Sequence, residues 1–372
     1  MFLALIEMRR AKVRFGLLIG AVALLAFLIL FQNTLEHGLI TAYVGGIRHQ
    51  SAAVLVYDID GRRNLQSSVI SNELERTIAS VEGVARAGRI GKRTFGALAD
   101  GRAQAATVIG YEHEGLGSPT TLVRGRLPTV AGEGVASEAD AADGFDIGNS
   151  VFVEPGDYEI KVVGQVRDAS LSASPTLFTT YETYEKAVVA VDLNAVPHPS
   201  VIGLEAAPGV TNAELVARVN AASDELDALS RADAERYAPG VSAIRSSFLI
   251  VLVLYGLVVP FLIALFFLIV TFQKARSLTL LTAMGAPTRR LVWSLMIQVA
   301  TVLGLGVGLG TLIYTPLSSR RIGRIPMRFE TAGVVSWATG LVALGLVSAV
   351  FAAVRLRRID PMGATLGTGA GA

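Results

Sequence analysis

The chain has 372 residues, of which 52% are hydrophobic and only 17% are charged, with a formal net charge of +2. Soluble proteins carry about 25% charged residues, and the near-balanced charge gives no signal for nucleic acid. The lack of cysteine removes disulfides, thiolate metal sites, cysteine nucleophiles and iron–sulfur clusters together.

The apolar excess lies toward the ends, around a more polar middle. Residues 1–14 form a basic, amphipathic N-terminal segment with Arg9, Arg10, Lys12 and Arg14. The run 15–31, "FGLLIGAVALLAFLILF", follows and is just long enough to span a bilayer. A signal peptide starts in the same way. However, this apolar run is longer than an ordinary signal core, no A-x-A site follows closely, and the chain continues as a helix-like "NTLEHGLITAYV". The reading is a retained span.

Residues 32–247 read as one α+β domain inserted between spans. "AAVLVYDID" (52–60) and "AATVIGYE" (105–112) are strand-like, and "VFVEPGDYEIKVVGQV" (151–166) is two strands around a Glu154-Pro155-Gly156-Asp157 turn, where Pro presets φ and Gly permits positive φ. "ISNELERTIASVEGV" (70–84) is an amphipathic helix starting near Ser71, with Glu73 and Glu75 suited to its N-terminal dipole. Small mixed sheets are expected. The stretch 211–238, with Thr211 and Glu214 at capping-box spacing, reads as helix throughout and as a stalk leading to the second span. "NTLEHGLITAYV" would be the other stalk.

Three more apolar runs follow: 248–272 with Pro260 inside it, 291–316 with a string of glycines, and 332–354. Each can cross about 30 Å of hydrocarbon, and a proline is tolerated in a membrane helix. Loops at 273–290 and 317–331 and a tail at 355–372 complete the plan. Basic residues set orientation. The N-terminus holds four, the 273–290 loop four (Lys274, Arg276, Arg289, Arg290) and the tail three (Arg355, Arg357, Arg358). The 317–331 loop opposes them with Arg320, Arg321, Arg324 and Arg328. The balance places both termini in the cytoplasm and the large domain outside.

Two motifs are decoys. Gly91-Lys92 lacks the glycine that a phosphate loop needs five residues earlier, where Arg86 stands. Of His37, His49, His113 and His198, no pair has the i,i+4 spacing of a helical metal site. His113 and His198 read as solvated or locally bonded. Gly304, Gly306, Gly308 and Gly310 form two overlapping G-x-x-x-G patterns inside a span, which argues for close helix packing, within the chain or across a homodimer.

The layout and several strings resemble the FtsX-like, MacB-type (type VII) ABC transporter permeases over most of the chain. "LVRGRLPTVAGEGVASEADAADGFDIGNSVFV" (122–153) with "VVGQVRDASLSASPTLFTTYETY" (162–184) is similar to the family's "G-R-x-P" turn, "G-x-x-V" and "V-V-G" core. "LLTAMGAPTRRLVWSLMIQVATVLGLGVGLG" is similar to its "A-l-G-a" loop and glycine-rich third span, and "RLRRIDPMGAT" to its tail. Ser277 departs from the acidic residue that many members carry there. Gln298 and the compact inserted domain are closest to the HrtB/DevC branch.

The resemblance implies a non-catalytic subunit in the bacterial inner membrane. It would form a homodimer and bind a separate cytoplasmic ABC ATPase, which holds ATP and Mg. Efflux of a haem-like, lipid or drug amphiphile would follow by mechanotransmission, and haem would enter only as substrate. Force relay to a cell-wall hydrolase and lipoprotein extraction are the alternatives.

Two candidate sites follow. Phe31, Glu36, His37 and Tyr43 at the top of the first span, with Tyr255 in the second, would meet substrate, since Tyr and His are competent haem-iron ligands. An ordinary interfacial belt gives the same pattern. In the 273–290 loop, Leu278, Leu281 and Met284 recur at helical spacing. Gly285 suits a helix C-cap and Pro287 the first position of the next helix, with Arg289 and Arg290 at the inner headgroups. The segment reads as a short helix and a tight corner, similar to a coupling helix seated on the ATPase. A helix lying on the inner leaflet is the other reading.

Overall fold

The computed structural model describes residues 11–283, 288–317, 321–322, 325–326 and 331–356. It divides into two compact units. The helical unit holds Met1–Leu35, Ser246–Arg320 and Met327–Ala372, and the sheet unit holds Glu36–Arg245 and Arg321–Pro326.

Among the described residues, four helices are long and apolar enough to cross a membrane. They are α1 (Lys12–Arg48) and, after the sheet unit, three more described below. The helix predicted beyond residue 31 is present, because α1 runs on through "NTLEHGLITAYV" without a break.

In the sheet unit the strands are β1 (Val54–Asp58), β2 (Val84–Ala99), β3 (Arg102–Tyr111), β4 (Leu122–Gly125) and β5 (Glu133–Ser137). They continue as β6 (Ser150–Glu154), β7 (Tyr158–Val166), β8 (Thr176–Thr180), β9 (Val201–Ala206) and β10 (Leu226–Ser230). Instead of small separate sheets, all ten join one mixed sheet in the order β10-β1-β9-β2-β3-β8-β5-β7-β4, with β6 paired to β2 and β7. The unifying element is β2. Its first half pairs with β9 and the rest with β3 and β6, so one long strand joins what short strands would leave apart.

Three helices cover the sheet. Helix α2 (Asn72–Ala79) is capped by Ser71, whose hydroxyl accepts from the Leu74 N–H, as the sequence indicates. Helix α3 (Tyr181–Val191) buries Tyr181, Tyr184, Ala187 and Val188 along one stripe. Helix α4 (Asn212–Ala222) opens on the expected capping box: Thr211 Oγ accepts from Glu214 N, and the Glu214 carboxylate accepts from Thr211 N at 2.8 Å. Leu215 and Val219 of α4 pack with Leu74 and Ile78 of α2 against β1, β9 and β10.

The unbroken helix expected over 211–238 is not formed. Strand β10 divides it, and a short helix α5 (Arg231–Arg236) follows. Helix propensity loses here to pairing: β10 runs antiparallel to β1 across five residue pairs, with Leu226 and Ala228 buried.

The family-like strings are packing devices. Gly125 of "GRLP" stands opposite Gly164 of "VVG", where a Cβ would lie 2.3 Å from the Val163 carbonyl or 2.5 Å from that of Arg126. Arg126 forms an ion pair with Glu133 and holds its carboxyl down at about 2. The turn at 154–157 connects β6 and β7 as expected, but the left-handed residue is Asp157 (φ 49°). Gly156 is required because a Cβ there would strike the Ala190 carbonyl at 2.1 Å.

Candidate functional site

The last membrane-length helices are α6 (Val241–Ala283), α7 (Thr288–Tyr314) and α8 (Thr331–Leu356). Pro260 lies inside α6. Among the described residues, no separate coupling helix forms. The stretch 273–283, "QKARSLTLLTA", lacks Gly and Pro and is rich in good helix formers, so α6 runs through it to Ala283. Leu278 and Leu281 therefore occupy the last turns of a helix about 65 Å long at 1.5 Å per residue. Arg289 and Arg290 lie in the first turn of α7. Met284, Gly285 and Pro287 fall outside the described residues. The 317–331 loop contains a minimal hairpin, β11 (Arg321–Ile322) with β12 (Ile325–Pro326), which the sequence reading missed.

The four glycines of α7 separate into two pairs. A Cβ on Gly306 would lie 2.6 Å from Val22, and one on Gly310 would lie 2.5 Å from the Ala23 carbonyl and 2.8 Å from Ala26. Gly306 and Gly310 thus let α7 close on α1 within the chain. Cβ atoms on Gly304 and Gly308 would meet nothing within 4 Å.

Two polar contacts join neighbouring helices inside the helical unit. Tyr314 is fully buried with Leu30 and Val334, against Phe27 and Trp337, and its hydroxyl bonds that of Thr34 on α1. Gln32 Nε2 donates to the Phe248 carbonyl at 2.8 Å. A buried hydroxyl left without a partner costs about 1–3 kcal/mol, so these bonds select one arrangement of the helix ends. The sequence reading passed over Gln32, Thr34 and Tyr314 because polar and aromatic residues near span ends look like an ordinary interfacial belt.

The expected substrate residues are divided between the two units, with Phe31 and Tyr255 in the helical unit and Glu36, His37 and Tyr43 in the sheet unit. Phe31 stacks on Phe27, with ring centroids 6.0 Å apart and planes 13° from parallel, so one face of its ring is taken. Tyr255 packs with the apolar cluster that holds Phe15, Val22 and Ala26. In the sheet unit, Glu36 is half-buried, His37 exposed and Tyr43 40% exposed. Seven residues separate Glu36 from Tyr43, two helical turns, so these two share a stripe of α1 while His37 points about 100° away. Among the described residues, no group of three His, Asp or Glu is placed to hold a metal.

No family model matches the chain. Two curated relatives, from two strains of Staphylococcus epidermidis, carry the name hemin transport system permease protein HrtB. Each is 21% identical over 373 aligned positions, covering 97% of this chain and 98% of the relative. The chain resembles ABC-transporter permeases of the HrtB type from end to end. Solved structures aligned with part of this HrtB-like chain include the periplasmic region of MacB from Actinobacillus actinomycetemcomitans, at 15% identity and TM-score 0.37, over 51% of this chain and 93% of that one. The extracellular domain of the noncanonic ABC-type transporter YknZ from Gram-positive bacteria aligns at 12% identity and TM-score 0.34, over 48% of this chain and 100% of that one.

Among the decoys, Gly91 and Gly110 are direct partners across β2 and β3. Cβ atoms on them would lie 2.2 and 2.3 Å from Tyr184, so the two glycines make a seat for this ring, whose hydroxyl donates to the His198 carbonyl. The neighbouring Lys92 is buried and its Nζ donates to Gln66 Oε1. Burial pulls this ammonium down to about 8. His113 is exposed and His198 half-buried, in line with local or solvated roles.

Proposed function

We propose that the chain is the membrane subunit of an ABC transporter, coupling ATP hydrolysis by a separate cytoplasmic ATPase to efflux of an amphiphile, with a haem-like molecule as the leading substrate class. The observation that carries this reading is the similarity to HrtB over 97% of the chain and 98% of the relative. The four apolar helices and the single inserted domain support the same plan. In this reading both termini are cytoplasmic in the bacterial inner membrane and two copies form a homodimer. The end of α6, with Leu278 and Leu281, then meets the ATPase together with Met284, Gly285, Pro287, Arg289 and Arg290.

Mechanotransmission needs helices that outreach the bilayer. A span takes about 20 residues, whereas α1 has 37 and α6 has 43. Each is therefore long enough to cross and continue as a lever. A substrate moves an equilibrium only by binding two states unequally, so the residues that meet it must differ in exposure between states. Glu36 and Tyr43 share one stripe of α1 and are the first to examine.

The test is ATP hydrolysis by the purified permease–ATPase complex in liposomes, with haemin, lipids and macrolides added singly. Haemin is expected to raise the rate several-fold, and Glu36→Ala with Tyr43→Ala to blunt that rise while the basal rate stays. A rate unmoved by every amphiphile would overturn efflux and leave force relay in its place.

A further inference from the structure

We propose that residues 168–174 are a main-chain clamp that fuses the last turns of α1 to the ten-stranded sheet, making Ala42–Arg48 and the sheet one rigid body. The grip is backbone to backbone. Ser172 N donates to the Tyr43 carbonyl, Ala173 N to that of Ala42, and Gly46 N to that of Ser170, all at 2.9 Å. Val44 and Leu171 pair as a single antiparallel bridge. An amide has one hydrogen, so a bond from Gly46 to the clamp competes with the helix's own ladder. Helices seldom lend their backbone to a loop in this way.

Two features of the sequence make room for it. Gly45 and Gly46 lie where the clamp crosses the helix: a Cβ on Gly45 would lie 2.2 Å from the Asp168 carbonyl, and one on Gly46 3.3 Å from that of Ala169. Within the clamp, Asp168, Ser172 and Ala173 hold φ of 54°, 55° and 53° without being glycine. Such backbone is unfavourable for a residue with a Cβ and persists only where its surroundings enforce it.

The far side of the clamp is tied to the sheet. Leu171 N donates to Thr176 Oγ1 on β8 at 2.9 Å, and the Ser174 hydroxyl bonds that of Thr107 on β3 at 2.7 Å. Ala169 and Leu171 are buried with Val44 and Ile47. A second tie closes the same end of α1, where Arg48 Nη2 meets Glu235 Oε1 of α5 at 2.5 Å. Helix and loop are thus joined by main-chain bonds, loop and strands by the Thr176, Ser174 and Thr107 hydroxyls, and the helix end by the Arg48 ion pair.

The clamp stands on this geometry alone, whereas its use as a force-bearing joint rests on the permease reading. Hydrogen–deuterium exchange on the full chain in lipid nanodiscs tests the first. In the unsubstituted protein, the amides of Gly46, Ser172 and Ala173 should exchange at least a hundredfold more slowly than a free loop and within about threefold of one another. Gly45→Ala should speed all three together while β2 and β3 stay protected. Ser172 and Ala173 exchanging like an open loop in the unsubstituted chain would overturn the clamp, whether or not the variant folds. With the ATPase bound, Gly45→Ala should keep ATP hydrolysis and lose haemin export. Full export from a variant with an open clamp would overturn the joint. Failure of the unsubstituted chain, with the ATPase bound, to support ATP hydrolysis or haemin export would count against the permease reading and leave the exchange result intact.

Discussion

Gly91, Gly110 and Tyr184 show what a close backbone approach asks of single residues. A methyl group on Gly91 has nowhere to go except into a ring buried against two strands. Gly91→Ala should therefore lower stability by about 1–3 kcal/mol, the usual cost of overpacking, read as a drop in thermal midpoint of the full chain, while Gly101→Ala, with open space around it, should be judged only by its left-handed φ. Lys92 next door gives a pH signature. Its ammonium lies at about 8 in the fold against 10.5 when free, so the unfolded chain binds that proton more tightly. Stability from this residue is lowest below pH 8 and recovers as pH rises toward 10.5. Lys92→Met should be the more stable protein at pH 7, and its advantage over the unsubstituted chain should shrink across that window. A difference constant with pH would show that Lys92 does not titrate there. Neither role was legible in the sequence, because Gly-Lys reads as a failed phosphate loop until the strand opposite is known.

At the scale of elements, local signals were read well where they are short-ranged. The Ser71 cap, the Thr211–Glu214 box and the β6–β7 turn all follow from residues within four positions of each other. The strand β10 was misread because its partner β1 lies some 170 residues away, and nothing local overrides a helix-like composition. The α7 glycines were half legible. The pattern announced close packing, but only the structure assigns Gly306 and Gly310 to α1 and leaves Gly304 and Gly308 with open space. Gly310→Val should accordingly destabilise the helical unit by about 1–3 kcal/mol, while Gly308→Val should be close to neutral in the monomer. Thermal unfolding in detergent separates the two. Equal losses would mean that α7 meets α1 by a different face.

For the whole molecule, the order of one membrane-length helix, an inserted domain and three more membrane-length helices could be read from hydropathy, since long apolar runs are the least ambiguous signal a sequence carries. The order of the ten strands could not, because pairing between distant strands leaves no local trace. The candidate sites were legible as segments rather than as geometry. Leu278 and Leu281 lie on the last turns of α6 while Met284 falls outside the described residues, and Phe31 and Tyr255 are each engaged in apolar packing. The account then turns on a partner. The most direct measurement is purification of the tagged full chain from its own membranes, with the co-eluting proteins identified and assayed for ATP hydrolysis. An ABC ATPase in equal amount, lost on Leu281→Asp while the chain stays in the membrane, is the predicted result. A chain that elutes without an ATPase, or one that keeps it undiminished after Leu281→Asp, would contradict the account.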